Sequence, residues 1–217
     1  MPEESPLQQQ TEELAMIIDR VAAILGRARD AFFRRKALPG EDFGKELHDL
    51  IEEIAFTAVR EDERVIGMPV RSRGRTFRYQ SILTHLHMVI ATIVSLVEEL
   101  HEQTGEGTSL CEKAVEETDL LLAQQEMILC TLGEAVRSGH GGHLHAVCRG
   151  CRELLRICRK SATAHERRAA GGLCLPGEAM LFLTILDRMR SLVHHEEETV
   201  RLLVRWKGTG RAPAGIG

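Results

Sequence analysis

The chain has 217 residues, with 28 Lys and Arg against 32 Asp and Glu and a formal charge of −4, so its net charge offers no pull toward nucleic acid or an anionic membrane surface. At 43% hydrophobic residues it can bury a full core, in one domain or two small ones, which excludes disorder for most of its length. Aromatic residues are only 4%, while Leu, Ala, Glu and Arg abound, and the composition favours helix over strand.

Apolar residues at steps of three and four predict a first helix over 7–36, with Leu14, Ile18, Val21, Leu25, Ala28 and Phe32 on one stripe. Pro39 and Gly40 end it. A second helix over 41–65 carries Leu47, Leu50, Ile54 and Thr57 or Ala58, and closes at Gly67 and Pro69. The third begins near Gly74, repeats Leu83, Leu86, Ile90, Ile93, Val97 and Leu100, and stops before Gly105. Its stretch 79–97 has no formal charge and approaches the ~20 residues of a membrane span. Gln80, Ser81, His85 and His87 lie inside it, so the expectation is a helix buried among other helices, with no membrane insertion.

The same grammar then returns. Helices are predicted over 109–138, 142–170 and 176–207, and the starts near 7, 42 and 75 recur near 109, 143 and 177, an offset of 101 or 102 each time. Such self-similarity predicts two copies of one unit. The fold expected is all-α, two tandem antiparallel three-helix bundles over 1–104 and 105–207, followed by a disordered tail over 208–217.

Six cysteines occur behind an acidic, polar N-terminus, so free thiols in a reducing, cytoplasmic setting are expected. Cys148 and Cys151 form a CxxC pair with Cys158 downstream and His143 and His145 upstream. Zinc would accept such ligands. Val147, Cys151, Leu154, Cys158 and His165 also make one heptad-like stripe, which reads Cys151 and Cys158 as small core residues. The ten histidines raise a helical-bundle iron site, but His85 and His87 cannot share a helix face. The run His194–Glu198 reads as solvated charge, and His140 and His143 as an exposed glycine loop. Glu196 alone falls on an internal seam, with Phe182, Leu186, Met189, Val193, Val200 and Leu203. Signatures of phosphate-binding loops, nucleophile elbows and HExxH metalloenzymes are lacking, so no enzyme is expected. The strongest charge asymmetry is basic: Arg149, Arg152, Arg156, Arg159, Arg167 and Arg168, with Lys160, on the fifth helix. It reads either as a solvated face or as a docking surface for an acidic partner.

His165, Arg168, Gly172, Cys174, Pro176, Asp187, Arg190 and His194 follow a pattern of a His then Arg, a Gly-x-Cys-x-Pro turn, and a leucine-rich helix ending in Asp and His. This stretch resembles the second half of PhoU-like proteins, closest to the cytoplasmic tails of bacterial sodium–phosphate cotransporters. The resemblance implies a non-enzymatic regulator of phosphate uptake or signalling that docks on a membrane phosphate transporter or a sensor kinase, as a homodimer, at the inner face of the membrane. The chain fits a free-standing protein and a transporter tail alike. The family's acidic metal pairs fall on His87 and Ala91 in the first copy and on Met189 and Val193 in the second. No cofactor is therefore expected, or at most a weak divalent-metal or iron site at Asp187 and His194; the alternative reading is a metal-binding bundle using His and carboxylate or Cys and His ligands.

Overall fold

The computed structural model describes residues 6–33, 40–66, 73–105, 110–174 and 176–208. The tail expected to be disordered lies outside them from residue 209 onward, as do the breaker residues Pro39, Gly67 and Pro69. The described chain is all-α: α1 (Pro6–Phe33), α2 (Gly40–Ile66), α3 (Arg73–Gly105), α4 (Glu112–Ser138), α5 (Gly141–Ala170) and α6 (Pro176–Lys207). α4 begins three residues later than the spacing predicts, because Cys111 takes the N-cap position and its carbonyl receives the amides of Ala114 and Val115. At its other end Gly139 adopts φ 63°, a left-handed turn that glycine enters without a steric penalty, and its amide closes on the Ala135 carbonyl.

The predicted stripes are buried, apart from the half-buried Phe32 near the end of α1, and α1 buries more than its stripe. Besides Leu14, Ile18, Val21 and Leu25, it hides Ala15, Ile17, Ala22 and Ile24. The broad face follows from its position: α1 packs most extensively on α4 and also meets α3, while ion pairs join Arg20 to Glu53 and Arg27 to Glu46 of α2. Residue numbers rise on α1 as they fall on its partners, so it runs antiparallel to both α2 and α4. On α4 the pairing is reciprocal: Gly26 faces Glu126, and Gly133 faces Asp19. Arg29 bonds Asp119 at 2.7 Å, and Arg137 pairs with Asp19.

The α3 and α6 helices form a second antiparallel pair, from Tyr79 stacked on Trp206 at one end to Glu99 beside Arg188 at the other. By length and composition α3 could cross a membrane. Here its apolar residues Tyr79, Ile82, Leu83, Leu86, Ile90 and Ile93 are all buried. α5 completes the packing against α4 and α6, and the buried apolar side chains of all six helices form one continuous core.

Candidate functional site

On α5, two faces separate cleanly. The inner one buries Val147, Cys148, Cys151, Leu154, Cys158, Ser161 and His165, so the CxxC pair and Cys158 pack as small core groups. Burial pushes all three thiols up, Cys158 to about 11. Inert, protonated sulfur is the result.

The outer face presents the arginines. Arg149, Arg152, Arg156 and Arg159 recur at steps of three and four and are exposed, with Lys160 and Arg167 flanking them. Arg156 is held by Glu153 at 2.5 Å, while Arg149 and Arg152 have no ion pair among the described residues. Arg168 does not belong to this surface: it turns inward and grips Glu117 of α4 with two nitrogens, at 3.1 and 2.6 Å. Beside Arg149 and Glu153 lies a shallow groove of about 300 Å³, floored by Ile128 and Gly150 and edged by the exposed Met127. A Cβ on Gly150 would stand 2.8 Å from Ile128 Cγ1, so this glycine is what lets α5 approach α4 here.

Asp187 and His194, the resemblance's metal candidates, are both exposed and stand seven residues apart on α6. At ~1.5 Å per residue that is about 10 Å, too far to share one ion. The run His194–Glu198 is only partly solvated. His194 is exposed, but His195 meets His85 of α3 with Nδ1 atoms 3.1 Å apart, and Glu196 is wholly buried. A helix run of five necessarily visits every face, and α6 has neighbours on several. Burial lowers the proton affinity of both His85 and His195, which fits a neutral pair sharing one N–H.

Glu196 receives the amide nitrogen of Gln125 and, at 3.8 Å, the thiol of Cys151. Burial pushes its carboxyl up to about 8, so at neutral pH it is mainly a protonated acid and can itself donate a hydrogen bond. Gln125 Oε1, buried with no partner, is the acceptor that such a proton suits once the amide is turned over.

Sequence reasoning left out the convergence at the α5–α6 turn. The carboxyl end of α5 closes as a Schellman turn: Gly172 takes φ 70°, Leu173 N–H reaches the Arg168 carbonyl at 2.9 Å, and Gly172 N–H reaches Ala169. That turn carries Cys174 to Cys111 at the start of α4, with their sulfurs 3.4 Å apart. A Glu178 oxygen completes a set of three donor atoms all within 4.8 Å of one another. Arg168 donates a hydrogen bond to Cys174, and beside it the buried His165, packed on Phe182, leaves Nε2 without a partner. The Gly-x-Cys-x-Pro spacing pointed at Cys174; nothing local pointed at Cys111, 63 residues away.

No family model matches this chain, and no curated protein matches it.

Proposed function

We propose that the chain is a non-enzymatic, PhoU-like regulator of phosphate uptake or phosphate signalling, built as two tandem antiparallel three-helix units and acting by docking on a membrane phosphate transporter or a sensor kinase at the inner face of the membrane. The observation that carries this reading is the outer face of α5, where Arg149 and Arg152 stand exposed without ion pairs among the described residues, Arg149 at the edge of a groove flanked by Met127. Guanidinium groups beside an apolar notch suit an acidic helix that brings one apolar anchor. Support for the duplicated architecture comes from the apolar pattern repeating at an offset of 101 or 102 in the sequence and from three helices in each half. Docking through α5 leaves other faces for self-association, and the protein acts as a homodimer.

The test is genetic and physical together. In the host, deleting the gene changes the rate of phosphate uptake, and the wild-type chain restores it. Arg149→Glu with Arg152→Glu, both exposed, leaves the folding stability within the ~0.5 kcal/mol typical of surface changes, yet fails to restore uptake and no longer co-purifies with the transporter or kinase. Uptake that is the same with and without the chain defeats the proposal.

A further inference from the structure

We infer that Cys111, Cys174 and Glu178 form a zinc site that clamps the start of α4 to the α5–α6 turn, with a fourth coordination position left open. The sulfurs lie 3.4 Å apart, close to the ~3.7 Å edge of a tetrahedron built on ~2.3 Å zinc–sulfur bonds. Two thiolates with one carboxylate suit a borderline-soft divalent ion that accepts four-coordination. The third donor distinguishes this arrangement from a plain thiol pair: a disulfide needs no carboxylate, yet the Glu178 oxygen closes the triangle within 4.8 Å.

The surroundings hold the donor atoms in place. Cys111 occupies the N-cap position, but its side chain makes no capping hydrogen bond, and its sulfur turns instead to Cys174. Arg168 donates to the Cys174 sulfur and is itself fixed by Glu117, the kind of outer partner that orients a metal ligand. Two thiolates and a carboxylate carry three negative charges against the two positive charges of zinc, and Arg168, shared with Glu117, lies beside the excess. The cluster is half-buried rather than open to solvent. Binding displaces two thiol protons to solvent, and no electron moves. This site differs from Asp187 and His194 and from the CxxC pair, and it does not depend on the regulatory reading above.

The experiment uses the full chain, reduced, stripped with a chelator and desalted without oxygen, then titrated with cobalt(II) followed by zinc. One equivalent of cobalt should produce thiolate-to-cobalt absorption in the near ultraviolet with four-coordinate visible bands, and one equivalent of zinc should bleach both. Cys111→Ser and Cys174→Ser each should weaken binding by at least about 100-fold, and Glu178→Gln by about 10- to 100-fold. Cys148→Ser with Cys151→Ser keeps the full signal. Because a variant could misfold, alkylation of the wild type supplies an independent readout: zinc shields Cys111 and Cys174 while the exposed Cys130 stays reactive. Absence of the thiolate band overturns the assignment, as does a band that survives both single Cys variants or vanishes in the CxxC variant. Unshielded Cys111 and Cys174, or a disulfide between them formed in the presence of one equivalent of zinc, overturns it equally.

Discussion

Two glutamates, Glu13 in α1 and Glu117 in α4, each near the start of its helix, are both gripped by an arginine from the following helix, and there the likeness ends. Glu13 gathers three donors, from Arg60 at 2.7 Å, Tyr79 at 2.9 Å and Thr57 at 3.2 Å, and Trp206 stacks on the Tyr79 ring. Burial pushes the Tyr79 phenol far up, so it stays a donor at every workable pH. Around Glu117 the matching space holds Arg168, a histidine packed on Phe182, and the two thiols. At one end a single carboxylate takes three donors; at the other it takes Arg168 alone, beside an imidazole and two thiols.

The harshest way to break this comparison is to remove the core both ends share. Ile90→Asp together with Leu186→Asp buries two unpaired charges at sites now at most 1% exposed, and should cost more than the ~5–15 kcal/mol of a typical domain, leaving no cooperative melt by circular dichroism. A native melt would mean that the two halves do not depend on this seam.

Next in size is a pH effect confined to the second half, since Val94, one offset of 102 before Glu196, carries no charge. The folded Glu196 holds its proton up to about 8, against an ordinary value near 4.5. Between these values the folded state binds more protons than the unfolded chain, so stability is full at low pH and declines as pH rises through that window, by about 2–5 kcal/mol. Glu196→Gln should flatten the slope in urea melts between pH 5 and pH 9 and stabilise the protein at the alkaline end. An unchanged slope would place a charged carboxylate in the core.

The smallest test is the sharpest. Glu13→Ala strands a buried phenol, a hydroxyl and a guanidinium and should cost about 2–3 kcal/mol, whereas Glu117→Ala strands Arg168 alone and should cost about 1–2 kcal/mol. Equal losses in urea denaturation would erase the distinction between the two ends.

Helix number, order and inner faces were legible because burial here follows steps of three and four, as in Leu83, Leu86, Ile90 and Ile93. The width of the α1 face was not, since it depends on how many helices surround α1, and Ile17 and Ile24 show up only once α4 is in place. Arg168 looked like its exposed neighbours because charge patterning does not reveal that Glu117 stands opposite. Likewise, Cys111 and His85 acquire meaning only from Cys174 and His195, residues 63 and 110 positions away. Pairings of that range are products of tertiary packing and leave no local trace.

That α1 packs chiefly on α4 has a consequence for synthesis. Arg29 and Asp119 lie 90 positions apart, so a ribosome working at ~5–20 residues per second holds α1 for about 5–20 s before its partner emerges. Throughout that interval Leu14, Ile17, Ile18 and Leu25 lack the surface that will cover them. A nascent chain in this condition is a client for a chaperone until α4 arrives to cover it.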